Sequence, residues 1–451
     1  MMTELDVTKL LSVKEAMEVI DRTEVHPRVV RVPLGDADGM RLAVDVVADR
    51  DYPPFVKSLM DGYAVRSADV VGRGAGTLEL RVVGELAAGT APARAVGPGE
   101  AIAIMTGAPL PSGADGVVPV EDVERRGDGA VGNGTVRILR PGQPARYVAT
   151  KGSDCTKGTV VLKRGTAIGP QQVAVLATVG AAEVEVFARP DVAVLSTGDE
   201  LADVGDADPA AAKIRNSNGP MLVALLKRMG CRVTDLGQCR DDPEALRAAL
   251  RNGMSHDALF VTGGMSMGEY DFVPRLLQEI GVTLKVTKLR IKPGKPFVFG
   301  EKRHEGTEAR RHEGEAGTAP STSASLPSPS VPSSSFVFGL PGNPVSAFVC
   351  TIRLASRLLE RMAGGEVREN WQTGRLEVGM VPNGPREFYQ PVLRTVAQGR
   401  NSAQSVLASI RPLTWKGSAD LFTLATANAL LVRAENEPPL PMGTVVKVLE
   451  I

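Results

Sequence analysis

The 451-residue sequence predicts a multidomain α/β plus β protein built around a central doubly wound parallel sheet. Three observations carry that prediction. Between 188 and 365, short apolar runs alternate with helical patterns, as expected of parallel strands joined by right-handed helical crossovers. From about 66 to 148, and again from 366 to the end, glycine, proline and short alternating runs mark β structure. The chain is also too long for one hydrophobic core, and its 43% apolar content can fill about three.

Residues 8–20 contain a helix opened by Ser12 with Glu15 three positions later, the capping-box spacing, and Val13, Ala16, Met17 and Ile20 form its apolar face. This is a packing or dimerisation helix. In Asp51 to Val65, Pro53 and Pro54 force an extended entry, Asp61-Gly62 signals a turn and Tyr63 to Val65 restart a strand. Lys57, Ser58 and Asp61 there either belong to a hairpin or present polar groups to a ligand. An inserted β domain follows, with Leu78 to Val83 as a strand. Ile104 to Asp122 reads as a long loop of turn residues, and loops of that length tend to be functional. Gly158 to Leu162 predicts a strand and Pro170 to Thr178 a short helix.

The central domain starts with Asp191 to Gly198, a strand ending in glycine. Asn216 to Met229 predicts a helix, Cys231 to Leu236 a second strand, and Asp242-Pro243 opens a helix with proline suited to its first position. Ala258 to Val261 is a buried strand that breaks into Thr262-Gly263-Gly264, followed by Glu269 and Asp271 and a helical pattern at Val273, Leu276, Leu277 and Ile280. Lys285 to Arg290 and Phe297 to Phe299 add strands. The Glu-, Arg-, Ser- and Pro-rich tract 302–335 lacks the apolar content to order itself and reads as a disordered surface insertion. A strand from Ser335 to Gly339 then turns at Leu340 to Pro344 into an apolar helix ending near Met362.

Totals exclude several functions. Lys+Arg and Asp+Glu both count 52, so no basic excess points to nucleic acid or an anionic membrane. Aromatics at 4% argue against a single-strand stacking platform. Four scattered cysteines without a C-x-x-C argue against a zinc knuckle or disulfide framework and fit a reducing cytoplasm. Neither a signal peptide nor an apolar run of membrane-spanning length is expected. With four histidines, two of them in the low-complexity tract, the chemistry is expected to rest on carboxylates, lysines, backbone amides or an oxygen-bound metal.

If the strands at 191, 259 and 335 share one parallel sheet, their carboxyl ends bring Ser196 to Glu200, Thr262 to Asp271 and Gly339 to Asn343 to one rim, where open α/β sheets bind ligands. Lys288, Lys292 and Lys295, on a segment stiffened by Pro293 and Pro296, suit phosphate or oxyanion ligands. A solvated basic face is the bland alternative. Asp61, Glu200, Asp242 and Asp271 beside such lysines point to Mg²⁺ bridging carboxylates and phosphate oxygens. The residues therefore predict a metal-assisted enzyme acting on a phosphorylated small molecule.

Seven motifs in order resemble the molybdopterin molybdenumtransferase family, bacterial relatives of the gephyrin E domain and its plant counterpart. They are Ser58 to Val65, Met105 to Asp115, Ser196 to Leu201, Asn216 to Asn218, Thr262 to Asp271, Ile291 to Pro296 and Leu340 to Ser346, with weaker matches at Arg386-Glu-Phe and Gly417-Ser418. The resemblance implies four parts: residues 1–50 with 149–187, an inserted β domain at 51–148, the molybdopterin-binding α/β domain at 188–365 and a C-terminal β-barrel at 366–451. It implies a cytoplasmic homodimer that inserts molybdate into adenylylated molybdopterin, hydrolyses the adenylate with Mg²⁺ and releases AMP and molybdenum cofactor. The molybdopterin adenylyltransferase and the molybdoenzymes are the protein partners it implies.

By matching position, Asp61, Thr106, Glu200, Asp271, Lys288 and Lys292 are the expected catalytic residues, with Asp61 and Thr106 supplied by a partner subunit. Glu200, Asp242 and Asp271 are expected around the metal, with Asp241 as the alternative to its neighbour Asp242. Substrate contacts are expected at Ser196, Thr197, Gly198, Asn218, Thr262, Gly263, Gly264, Ser266, Lys295, Pro341, Gly342, Asn343, Pro344, Arg386 and Ser418. The chain departs from the family's pattern at the 302–335 tract and at Leu59, where alanine is common. The alternatives are an adenylyltransferase, which usually reads Thr-Gly-Gly-Thr-Gly where Met265 stands here, and a gephyrin-like scaffold.

Overall fold

A computed structural model describes residues 10–71, 78–127, 134–140, 146–265, 272–304, 333–396 and 407–451. The chain forms two compact units, Met1–Ala43 with Val184–Ile451, and Val44–Glu183.

The larger unit is built on a six-stranded sheet. Its strands are β1 (Asp191–Thr197), β2 (Arg232–Cys239), β3 (Ala258–Thr262), β4 (Thr283–Val286), β5 (Val298–Arg303) and β6 (Ser334–Leu340). They lie in the order β2-β1-β3-β6-β5-β4. β2, β1, β3 and β6 are mutually parallel, whereas β5 runs antiparallel to both β6 and β4. The four strands that carry the doubly wound part are parallel as expected, and the sheet becomes mixed only at the β5–β4 end, because β5 and β6 pair antiparallel across the low-complexity tract. Lys302 pairs with Ser335 and Arg303 with Ser334, so the ends of the 302–335 tract are strand; residues 305–332, with the disorder expected there, lie outside the described residues.

Helices cover both faces. They are α1 (Val13–Arg22), α2 (Asn218–Arg228), α3 (Pro243–Gly253), α4 (Val273–Glu279) and α5 (Pro344–Cys350). Side chains along β1 alternate: Val192 and Val194 join a core with α1, α2 and α5, while Ala193 and Leu195 join a second core with α3 and α4. That two-sided burial is why the strands read as continuous apolar runs. Phe338 of β6 stacks between Phe260 and Phe299, with ring centroids 5.0 and 5.2 Å away. α1 carries the predicted capping box, with Glu15 N–H donating to the Ser12 hydroxyl and Ser12 N–H to the Glu15 carboxylate. α5 continues through a π-helical stretch, Thr351–Ala355, into Ser356–Met362.

After residue 366 a closed five-stranded barrel forms from Trp371–Leu376, Glu387–Thr395, Ala408–Pro412, Ala429–Arg433 and Val445–Glu450. Closure comes from the pairing of Glu387–Thr395 with both Ala408–Pro412 and Ala429–Arg433. Leu376, Val392, Ile410, Leu431 and Val448 fill it. The two-residue strand Ile291–Lys292 pairs with the start of one barrel strand, parallel to Glu387–Phe388.

The smaller unit holds a six-stranded sheet in the order Gly116–Pro119, Gly62–Val65, Glu100–Ile104, Leu78–Leu86, Gly134–Ile138, Val123–Arg126. The long loop expected from Ile104 to Asp122 is shorter than that: Val117 and Val118 are buried in strand, so the irregular stretch ends at 115. The helix Pro170–Thr178 has its predicted bounds.

Candidate active site

The order β2-β1-β3 places a topological switch between β1 and β3, because the connection leaving β1 goes to one side and that leaving β3 to the other. Their carboxyl ends meet there closely. Gly263 has φ +98°, and a Cβ on it would lie 2.0 Å from the Thr197 carbonyl oxygen, so only glycine permits the approach. Met265 is buried, and its sulfur fills the space a side chain at Gly339 would need, with 2.3 Å to the position of a Cβ there.

Asn218, at the start of α2, ties this rim together. Its amide nitrogen donates to the Thr262 hydroxyl and to the Gly342 carbonyl, both at 2.7 Å, and its amide oxygen is buried without a partner. The Thr262 hydroxyl donates to the Pro341 carbonyl at 3.3 Å, and Gly263 N–H to the Leu340 carbonyl at 3.3 Å. The Ser196 hydroxyl lies 3.3 Å from Asn216 Oδ1. Ser196 to Gly198, Asn218, Thr262 to Gly264 and Pro341 to Asn343 are therefore one connected rim.

The acids beside it have different duties. Thr197 Oγ1 donates to Asp241 Oδ1 at 2.7 Å. Asp242 caps α3, accepting from Ala245 N–H at 2.8 Å. The Glu200 carboxylate folds back over Gly198, within 2.4 Å of where a Cβ there would stand. Burial, helped by Asp241 and Asp242, pushes the nearby Cys239 thiol up, so it is neutral at physiological pH. Among the described residues no group of three or more His, Cys, Asp or Glu is placed to hold a metal ion. Glu200 and the Asp241–Asp242 pair still supply the hard oxygen donors that Mg²⁺ takes in ones and twos, the rest of its shell coming from phosphate and water. Asp271 and Ser266 lie outside the described residues.

On the far side of Pro341 to Asn343 opens a cleft of about 430 Å³, lined by Lys292, Pro293, Gly294, Lys295, Pro296, Pro341, Gly342, Asn343, Ser346, Arg386, Trp415, Gly417 and Ser418. Three cationic side chains and no carboxylate line it, a lining whose charge suits an anion of ligand size. Ser418 is fixed by its carbonyl, which accepts from Val345 N–H at 3.0 Å, and Pro344 opens α5 beside Asn343. Cys350, fully buried, packs its sulfur beneath Gly294, 3.8 Å from that residue's carbonyl oxygen. Lys288 is not among the lining residues; it is half-buried, and its carbonyl accepts from Leu11 N–H at 3.1 Å.

Two aromatic residues associated with the cleft, one lining it and one stacked on that ring, carry no site signal by residue type alone. Trp415 lines it, and Phe388 stacks on Trp415 with centroids 5.8 Å apart. The only signal was their company: Phe388 closes the Arg386-Glu-Phe motif, and Trp415 stands just before Gly417-Ser418.

Asp61 and Thr106 belong to the smaller unit, where Thr106 donates twice to Asp61 Oδ1, from its backbone N–H at 2.7 Å and its hydroxyl at 2.8 Å. Those two hydrogen bonds hold the exposed Asp61 carboxyl below the usual carboxylate range. The same unit has a wider, mostly apolar groove of about 810 Å³ that includes Tyr52, Phe55, Val160 and Val175, with Lys57 as its sole cation.

Comparisons with known proteins agree along the chain. Residues 11–180 match the family described as "MoeA N-terminal region (domain I and II)", 193–361 the "Probable molybdopterin binding domain" and 373–451 the "MoeA C-terminal region (domain IV)". The molybdopterin molybdenumtransferase of Staphylococcus aureus strain MSSA476 is 38% identical over 286 residues, 63% of this chain and 67% of that protein. Two structures of the molybdopterin biosynthesis moeA protein of Pyrococcus horikoshii superpose with TM-scores of 0.76 and 0.74, at 30% and 27% identity, covering 98% of this chain and 99% and 100% of theirs.

Sheet, rim and matches together define an enzyme that transfers molybdenum. The chain belongs to the molybdopterin molybdenumtransferase family. Among the described residues no helix is long and apolar enough to cross a membrane.

Proposed function

We propose that the protein inserts molybdate into adenylylated molybdopterin, with Mg²⁺-dependent hydrolysis of the adenylate and release of AMP and molybdenum cofactor. The observation that carries this reading is the three-cation cleft, which shares the Pro341 to Asn343 loop with the glycine-rich rim. Lys292, Lys295 and Arg386 take the anionic oxygens. Ser196 to Gly198, Asn218, Thr262 to Gly264 and Ser266 receive the rest of the substrate, with Pro341, Gly342, Asn343, Pro344 and Ser418 shaping the wall between. Lys288 is assigned the approach to the rim.

Glu200, Asp271 and one acid of the Asp241–Asp242 pair would hold Mg²⁺, which when bound offsets the charge of the phosphate link. The chain's own part in hydrolysis is to orient that link against water, through backbone N–H groups at the rim and the cleft's cations. Asp61 and Thr106 complete the site from the second subunit of a homodimer. In this reading the chain divides at 50, 148, 187 and 365 into four parts, works in the cytoplasm and exchanges substrate with the adenylyltransferase and product with molybdoenzymes.

The test supplies adenylylated molybdopterin, molybdate and Mg²⁺ to the full-length protein and follows AMP. Stoichiometric, Mg²⁺-dependent AMP release is expected. A folded protein that releases none overturns the proposal.

A further inference from the structure

We propose that Phe388, seated on Trp415, is a positioning residue that holds the Lys292 ammonium where the substrate's oxyanion enters the cleft. This rests on the anion-binding role just assigned to Lys292. Backbone register sets the pair: Lys292 lies directly opposite Phe388 where Ile291–Lys292 runs parallel to Glu387–Phe388. Its Nζ stands 4.7 Å from the Phe388 ring centroid, within cation–π range. Trp415 backs the ring at 5.8 Å and an interplanar angle of 23°, which restricts the ring's own movement.

The strand carrying Phe388 is anchored from its opposite face. Glu387 and Tyr389 alternate with Phe388, and the Tyr389 hydroxyl donates to Glu387 while accepting from Arg353 Nε at 2.7 Å. Tyr389 is fully buried. A lysine stem is flexible and its ammonium strongly hydrated, so a free Lys292 would spend much of its time in water away from the cleft. An aromatic face attracts the charge without neutralising it, as a carboxylate would, and leaves it able to pair with an anion.

Calorimetric titration of the full-length protein with molybdate tests this. Phe388→Leu is expected to weaken binding about three- to tenfold, the range of an exposed to partly desolvated cation–π contact, while Phe388→Tyr stays within about twofold. In a Lys292→Met background Phe388→Leu should cost nothing more. Thermal melts check folding. Should Phe388→Leu fail to fold, Trp415→Leu takes its place, with a loss of about twofold or more that vanishes in the Lys292→Met background. Wild-type affinity in the Leu variant, equal losses in Leu and Tyr variants, or a full additional loss without Lys292 overturns the inference alone. A wild-type protein that binds no molybdate overturns the anion-site reading and this inference with it.

Discussion

The Thr197 hydroxyl at the end of β1 donates to Asp241, whereas the adjacent Asp242 is engaged as the N-cap of α3. Neighbouring acids thus serve a site loop and a helix end, and substitution separates them. Asp242→Ala is expected to cost about 1 kcal/mol through the lost cap, and Asp242→Ser to recover most of it. If Asp241 is the functional acid, Asp242→Ser keeps AMP release while Asp241→Asn loses it at near-unchanged stability. The reverse pattern would move the role to Asp242.

Gly263 and Gly342 face each other across the rim with opposite tolerances. A methyl at Gly263 would meet the Thr197 carbonyl oxygen at 2.0 Å on a backbone with φ +98°, whereas one at Gly342 has only the Gly263 Cα near it, at 3.9 Å. Gly263→Ala is expected to lose about 1–3 kcal/mol and most activity, since β1 and β3 must separate. Gly342→Ala should remain within about 0.5 kcal/mol of the parent. Denaturant titration of both checks the contrast, and equal losses would refute it.

The middle of the central sheet was legible because β1, β3 and β6 are buried on both sides, which writes them into the sequence as unbroken apolar runs such as Ala258 to Val261. The α1 capping box and the proline-led helix Pro170–Thr178 were legible because their signals are local. The direction of β5 was not, since an apolar run is the same in either orientation and only its pairing with β6 reverses it. At the site, glycine loops and lysines stood out by residue type. Phe388 did not, because its partner Lys292 arrives through a strand pairing distant in sequence, and Lys288 was grouped with Lys292 from a charge run that carries no information on which lysine faces the cleft.

Asp61, with its carboxylate held by Thr106, lies in a different compact unit from Lys292. If the two meet only across a homodimer, Asp61→Ala and Lys292→Ala are each inactive, yet mixing them after partial unfolding and refolding restores activity. Random reassortment makes half the dimers mixed, each with one intact site, so about a quarter of wild-type AMP release is expected. No recovery from refolded dimers would place both residues in one subunit's site.

The Glu387–Tyr389–Arg353 network behind the cleft should give a pH signature. Burial is the largest influence on Glu387 and holds its folded-state pKa above the ordinary 4.5, so the folded protein binds a proton the unfolded chain has released. Such a group is least costly below pH 4.5, and stability falls as pH rises from there through the folded-state pKa. Carboxyls such as Asp61 and Glu100 are shifted the opposite way, so the signature lies in the difference: in urea titrations from pH 4 upward, the stability of the parent relative to Glu387→Gln should fall. Tyr389→Phe, which removes a fully buried hydroxyl bonded to both Glu387 and Arg353, is expected to cost about 1–3 kcal/mol near neutral pH. Parallel profiles for the parent and Glu387→Gln over this window would show that folding does not raise the Glu387 pKa.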